Sequence, residues 1–370
     1  MMKRLIFSSI VILSLCFQTG CSTVALNAGS LEDRADLSLI EPNAGPYSIE
    51  VIQRNDGSCD YLWEIDSRIV QDNTCRVKYH NLYSASRFMV VEGAVQNTGN
   101  RYPIVLDTGA SQPIFVKDTH VLENKLAIYP MKINKLNGHS LGLCYLPELQ
   151  IGSVTLTDWP CLYLEPCTKL GLFGLSIAGG VSQDRTIILG LPALREFKYI
   201  IFDNINKEVE FSYNEIFEPK ELQLWERYTF SIEEDFHGNA FLFVMIPVAA
   251  EQIELQLDTG SGRGLALAED LWEQIRMKIP NVKLKKTTES YPYFGHLACK
   301  QAVVPEFRLG CRTVKNARIS IFPNDSPLMD QSQGLLGMQY FHDTVLVLDF
   351  ERNLMWVRNP QCQQLAHASL

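Results

Sequence analysis

Ile104-Val105-Leu106-Asp107-Thr108-Gly109-Ala110-Ser111 is echoed 151 positions later by Leu255-Gln256-Leu257-Asp258-Thr259-Gly260-Ser261-Gly262. In each copy an apolar, strand-like run ends in Asp-Thr-Gly. A single such triplet reads as an ordinary turn, because Asp and Gly both favour turns. Two copies in the same setting read differently, and the flanking residues extend the match. Ile104–Ile128 lies on Leu255–Ile279 without a gap, Ile114 meeting Leu265, Val116 meeting Leu267 and Asp118 meeting Glu269. Further on, Leu146-Pro147-Glu148-Leu149-Gln150-Ile151-Gly152 matches Val304-Pro305-Glu306-Phe307-Arg308-Leu309-Gly310. Ile188-Leu189-Gly190-Leu191 then matches Leu335-Leu336-Gly337-Met338, followed in both copies by Phe, an apolar run, Asp and a closing strand. The chain is an internal duplication, and the repeat sets its architecture.

Enrichment in β-branched and aromatic residues between turn residues makes the repeated runs strands. Val121–Ile128 and Leu271–Ile279 read as one short helix per copy. The first lobe is placed at 86–213 and the second at 228–360, joined by a charged linker at 214–227 that holds Pro219. Residues 361–370 read as a tail. Residues 21–85 stand outside the repeat and read as a tether with added strands at Tyr47–Gln53 and Tyr61–Val70.

Two apolar strands ending in Asp, related by a pseudo-twofold axis, would bring Asp107 and Asp258 face to face. Carboxyls about 3 Å apart cannot both ionise, so they share a proton. Such a pair supplies both the base that deprotonates water and the acid that protonates a leaving group. Gly109 and Gly260 allow the tight turn. The hydroxyls of Thr108 and Thr259 are placed to bond across to the opposite loop and lock the two turns together.

On these residues the chain resembles the aspartic proteases of the pepsin and retropepsin group. The resemblance runs over about 86–358 and rests on the two triplets, the Ile188-Leu189-Gly190 and Leu335-Leu336-Gly337 segments and the closing hairpins. It implies an all-β, bilobal acid-protease fold of two homologous six-stranded, barrel-like lobes with few short helices. It also implies catalytic Asp107 and Asp258, supported by Thr108, Gly109, Thr259, Gly260 and Ser261, and a peptide or protein substrate held in the cleft between lobes. Neither cofactor nor metal is required, and both half-sites on one chain make a monomer sufficient. Ala110 stands where pepsins carry the Ser that lobe two keeps as Ser261. The missing hydroxyl predicts an optimum at mildly acidic pH, about 5–6.5. Gly138-His139 and Gly295-His296 precede the matching prolines by similar distances and are candidate flap residues, one flap per lobe. The alternative reading is a catalytically silent, retropepsin-like binding lipoprotein of the cell envelope.

The first 20 residues read as a leader: Lys3 and Arg4, then an apolar run from Leu5 to Phe17. Gly20-Cys21 resembles the lipobox of bacterial lipoproteins, with Gln18 where an aliphatic residue is usual. That resemblance implies export to the cell envelope, lipidation of Cys21 and, from Ser22, anchoring in an outer membrane. Of the 10 cysteines, those beyond the leader and Cys21 form an even set suited to disulfides in an oxidising compartment. Cys59 with Cys75, Cys161 with Cys167 and Cys299 with Cys311 are plausible pairs, although connectivity is not deducible from sequence. No Cys-x-x-Cys or His-x-x-x-His spacing suggests a metal. A net charge of −9 without a Lys/Arg block leaves no footprint for nucleic acid.

Overall fold

The computed structural model describes residues 3–8, 47–53, 59–65, 68–71, 74–81, 83, 89–96, 98–116, 118–129, 142–163, 186–234, 240–279, 282–291, 295–330 and 332–358. Cys21, Cys59 (beyond its backbone), Cys167, Gly138 and His139 fall outside what is described.

Strands β1 (Lys3–Ser8), β2 (Tyr47–Gln53) and β3 (Cys59–Ile65) form a small antiparallel sheet with β3 in the middle. Thus the start of the segment read as a leader is a strand, running from Lys3 opposite Ile65 to Ser8 opposite Asp60. Next come β4 (Arg68–Val70) and β5 (Cys75–Lys78), then β6 (Val90–Val95), β7 (Asn100–Asp107), β8 (Ile114–Val116) and helix α1 (Asp118–Asn124). They are followed by β9 (Ala127–Tyr129), β10 (Gly142–Ile151), β11 (Val154–Tyr163), β12 (Ile187–Gly190) and the one-turn α2 (Leu191–Leu194). The first copy closes with β13 (Tyr199–Asp203) and β14 (Glu208–Ser212).

The second copy opens with β15 (Trp225–Glu234), β16 (Ala240–Val248), β17 (Glu251–Asp258), β18 (Leu265–Ala268) and α3 (Glu269–Arg276). It continues through β19 (Leu284–Tyr291), β20 (Gly295–Leu309), β21 (Arg312–Phe322), β22 (Gly334–Gly337), β23 (Val345–Asp349) and β24 (Leu354–Arg358). The duplication reappears as topology. Strand order β6-β7-β12-β8-β11 in lobe one is repeated as β16-β17-β22-β18-β21 in lobe two. The fold is all-β and bilobal.

Each lobe is built around a strand whose three residues before the Asp are buried. β7 and β17 lie between two neighbours, so Ile104, Leu106, Leu255 and Leu257 are all fully buried. Burying a side chain of that size contributes about 1.5–3 kcal/mol. The matched Gly152 and Gly310 turn the β10–β11 and β20–β21 hairpins at φ of 60° and 61°, a left-handed conformation that glycine adopts without strain.

The strand pairing adds detail that the sequence does not give. The two lobes are joined through the sheet. β15 pairs with β24 through Trp225–Thr229 and with β16 through Phe230–Glu234, so the lobe-two sheet and the inter-lobe sheet share one strand. The inter-lobe part runs β15-β24-β23-β13-β14-β5, and β4 joins the lobe-one sheet through β11, which makes residues 68–78 part of the lobed body. Helix α1 starts at Asp118 and stops at Asn124; Lys125 turns left-handed (φ 51°), and Ile128 sits in β9 opposite Cys144.

The cysteine pairings also change. Cys75, Cys144, Cys161, Cys299 and Cys311 are unbonded. Cys299 faces Thr287 from the middle of β20, whereas Cys311 sits beyond its far end; ten strand residues amount to about 33 Å, too far for a bond. Cys75 packs on the β10–β11 turn, its Sγ 3.2 Å from the Ser153 N–H. Cys161 lies directly across the ladder from Cys144; both are fully buried, and the Cys161 thiol donates to Trp159 O. Opposed residues in an antiparallel pair have Cα atoms about 4.5 or 5.5 Å apart, inside the roughly 4.4–6.8 Å window of a disulfide. The matched lobe-two positions hold Ala302 opposite Ile319. Burial pushes the Cys161 thiol well above its ordinary pKa, so the folded protein should resist oxidation. Refolding in a glutathione disulfide buffer is therefore expected to close Cys144–Cys161, leaving the protein lighter by two hydrogens in an intact-mass measurement. Protein folded beforehand and placed in the same buffer should keep both thiols.

Candidate active site

The two Asp-Thr-Gly triplets stand at the ends of β7 and β17, and the strand beside each explains why. β12 runs parallel to β7 with Gly190 opposite Asp107; β22 runs parallel to β17 with Gly337 opposite Asp258. The loop after each Asp folds back over that neighbour. Leu191 N–H donates to Ala110 O (2.9 Å) and Gly190 N–H to Pro113 O (2.8 Å). In lobe two, Met338 N–H donates to Ser261 O (2.8 Å) and Gly337 N–H to Gly264 O (2.9 Å).

The threonines join the copies. Thr108 Oγ1 donates to Leu257 O (2.6 Å) while accepting the Thr259 N–H (3.0 Å). Thr259 Oγ1 donates to Leu106 O (2.7 Å) while accepting the Thr108 N–H (3.0 Å). Both side chains are fully buried, so four polar groups that would otherwise be orphaned are paired across the pseudo-twofold axis.

The lock sets the spacing of the acids. A Cβ on Gly260 would lie 2.2 Å from Asp107 Cγ, and one on Gly109 would lie 2.8 Å from Asp258 Cγ. Each carboxyl therefore rests on the backbone of the opposite triplet, where only glycine leaves room. The two carboxyls hydrogen-bond to each other, and each keeps part of its surface open to solvent. Burial raises the pKa of Asp107, against the hydrogen bond to Asp258 and the N–H groups of Gly109 (2.8 Å to Oδ1), Ala110 and Gly260. Asp258 is held well above the ordinary carboxylate range by burial first, then by the charge of Asp107 and the hydrogen bond to it. Both carboxyls therefore bind a proton more readily than ordinary carboxylates, and they titrate as a pair.

Ser261 does not reach its carboxylate in the way expected from sequence. Its hydroxyl accepts the Arg263 N–H (3.3 Å), and its backbone N–H donates to the Asp258 backbone carbonyl (3.2 Å), from where it also lowers the proton affinity of the carboxyl. The Ala110 backbone N–H does the same for Asp107. Ala110 is therefore no handicap, and the raised proton affinity comes from burial and charge instead.

Of the flap candidates, Gly295 opens β20 opposite Tyr291, the last residue of β19. His296 stands on the returning strand with Nδ1 2.6 Å from Ser290 Oγ. β9 pairs with β10 in lobe one as β19 does with β20, and the candidates Gly138 and His139 lie between them in undescribed chain. One participant escaped the sequence reading. Arg263, a lone cation in the glycine-rich run 260–264, crosses from the Asp258 loop to β19 and pairs with Glu289. Among the described residues, no three His, Cys, Asp or Glu side chains gather as a metal would need. Nor is any described helix long and apolar enough to cross a membrane.

No protein-family model matches the chain, and no curated protein matches it in sequence. Solved structures similar to it include basic 7S globulin from soybean, 10% identical, with 80% of this chain and 96% of that one covered at a TM-score of 0.42. Conglutin gamma, a basic 7S globulin from lupine seeds, is 9% identical over 79% of this chain and 95% of its own, with a TM-score of 0.42. An aspartic proteinase from Irpex lacteus is 12% identical over 78% and 97%, with a TM-score of 0.44.

Proposed function

We propose that the chain is an aspartic endopeptidase. The observation that carries this reading is the reciprocal threonine lock, which presses each Asp carboxyl against the opposite triplet; two acids held that way are suited to share one proton. A water bound between Asp107 and Asp258 gives its proton to the ionised carboxylate and attacks the scissile carbonyl. The protonated partner donates to the carbonyl oxygen as it becomes a tetrahedral hydroxyl. The tetrahedral species then collapses: one of its hydroxyls passes a proton to the ionised carboxylate as the carbonyl re-forms, the other carboxyl protonates the nitrogen, and the amine leaves with the pair singly protonated again. Acid–base help of this kind contributes about 10²–10⁴-fold per positioned group.

The pH dependence follows from the shifts. Activity needs one proton on the pair. It falls on the acid side as the second proton binds, and on the alkaline side as the last one leaves. Both acids are raised by burial, so both limbs move up from the ordinary carboxylate range. The expected optimum is therefore mildly acidic, about pH 5–6.5. Cleavage of a mixed peptide library, followed from pH 3 to 8 with and without a statine-type transition-state mimic, tests this. An inhibitable optimum in that window supports the reading, and an optimum below pH 4 contradicts the electrostatics. No cleavage at any pH, together with no binding of the mimic, transfers the chain to the second reading, a binding protein that keeps the fold without turnover. The intact Asp, Thr and Gly of both triplets favour the enzyme. Export to the cell envelope, with a lipid on Cys21 as its anchor, belongs to this proposal too and rests on Gly20-Cys21 following an apolar run.

A further inference from the structure

Arg263 is tied at both ends. Its carbonyl accepts the Gln339 N–H (3.0 Å) and its own N–H donates to Ser261 Oγ, which fixes its backbone within the loop that carries Asp258. The side chain leaves that loop and holds three consecutive residues at the tip end of β19. Nη1 donates to the Glu289 carboxylate, Nη2 donates to Ser290 O (2.7 Å), and the guanidinium lies over the Tyr291 ring at 4.1 Å. Glu289 is fixed in turn by the hydroxyls of Ser320 and Tyr291, and the Tyr291 ring meets Phe322 edge-on at 6.0 Å. Glu289 is 13% exposed and Arg263 40% exposed, so the carboxylate is largely covered and the planar fork closes over it. A guanidinium suits this task because it serves two acceptors and one ring face at once, which an ammonium cannot do.

The position is used in one lobe only. The residue 151 positions earlier is Gln112, a neutral amide that is buried (7% exposed). In the backbone ladder the β19–β20 hairpin joins its lobe through β20 alone, to β21 along its length and to β16 at Leu309, while β19 is the outer strand of the sheet. An outer strand with one ladder partner opens at low cost unless side chains hold it.

We propose that Arg263 is a positioning residue: it clamps the tip end of the β19–β20 hairpin to the Asp258 loop, so that the lobe-two hairpin is preset against the dyad. The catalytic consequence rests on the peptidase reading; the clamp itself does not. With the clamp in place, a peptide meets a hairpin already ordered. Without it, only a fraction of molecules holds the hairpin in the competent place, and apparent affinity falls by that fraction.

The test compares wild type with Arg263→Gln, Arg263→Lys and Glu289→Gln by hydrogen exchange over 284–303 and by peptide kinetics at the wild-type optimum. Arg263→Gln is expected to speed exchange in this hairpin about tenfold, and to raise KM about tenfold with kcat changed less than about threefold. Arg263→Lys, which keeps the charge but loses the fork, should fall between. Exchange elsewhere and Tm should stay near wild type, which separates a loosened hairpin from a damaged fold. Unchanged exchange in Arg263→Gln overturns the clamp, and faster exchange with an unchanged KM overturns the positioning role. If wild type cleaves no peptide, the peptidase reading fails on its own, and the exchange result still decides the clamp.

Discussion

Asp258→Asn is expected to abolish peptide cleavage and, at neutral pH, to make the protein more stable. The first effect follows from the shared proton. An amide neither accepts the proton of water nor donates as an acid, so the variant should lose about a thousand-fold or more in kcat. Asp107→Asn should lose as much, because the two acids act as one unit and neither half works alone. The second effect follows from linkage. A carboxyl whose folded pKa is raised above its unfolded value adds stability below the unfolded pKa, near 4, and that stability is lost as pH rises through the folded value. Asp258 is displaced upward further than Asp107, so at pH 7 it is the costlier charge to keep. Each tenfold change in proton affinity corresponds to about 1.4 kcal/mol, which moves Tm by about 2 °C in a protein of this size. Thermal unfolding at pH 3 and pH 7 is the measurement. The Asn variant should gain in Tm at pH 7, and the gain should shrink toward pH 3. A loss of Tm at pH 7 would show that the carboxyl stabilises the fold as an ion, against the effect of its burial.

The site was legible in the sequence because its parts are local and doubled. An apolar strand, a triplet and a later apolar-apolar-Gly segment recur at one spacing, and the fold superposes them as β7 with β12 and β17 with β22. What sequence misread depends on long-range pairing. Ile128 continues the helical pattern of Val121 to Leu126, yet it is drawn into β9 by Cys144 across the ladder. Cys161 has Cys167 nearby in sequence, but strand register sets it opposite Cys144. The join between the two lobes is likewise a long-range feature: β15 is long enough to serve two neighbours in turn. Arg263 carried a sequence signal, a charge inside a glycine-rich run, whose meaning depends on Glu289, 26 positions away.

Gly190→Ala is expected to destabilise the fold severely, with its lobe-two counterpart Gly337→Ala close behind. A Cβ at 190 would stand 1.9 Å from Gln112 O and 2.8 Å from Ala110 O; at 337 it would stand 2.4 Å from Arg263 O and 2.9 Å from Ser261 O. These neighbours are carbonyls of the loops that follow Asp107 and Asp258. They have little room to retreat, since Ala110 O and Ser261 O already accept the N–H groups of Leu191 and Met338. Overpacking against backbone usually costs about 1–3 kcal/mol, and a contact under 2 Å belongs at or beyond the top of that range. Gly99→Ala is the control: a Cβ there meets nothing within 4 Å, and the cost is confined to its positive φ of 71°, about 1–2 kcal/mol. Urea unfolding midpoints should therefore rank wild type, Gly99→Ala, Gly337→Ala, Gly190→Ala from most to least stable. Activity separates them further. Displacing the Ala110 or Ser261 loop moves an N–H that sets the proton affinity of the pair, so the two buried variants should lose turnover even in the fraction that remains folded. Gly99→Ala, at the far end of β7, should lose stability alone. If Gly190→Ala unfolded no earlier than Gly99→Ala, β12 would not lie behind the Asp107 loop, and the arrangement that holds the two carboxyls together would have to be wrong.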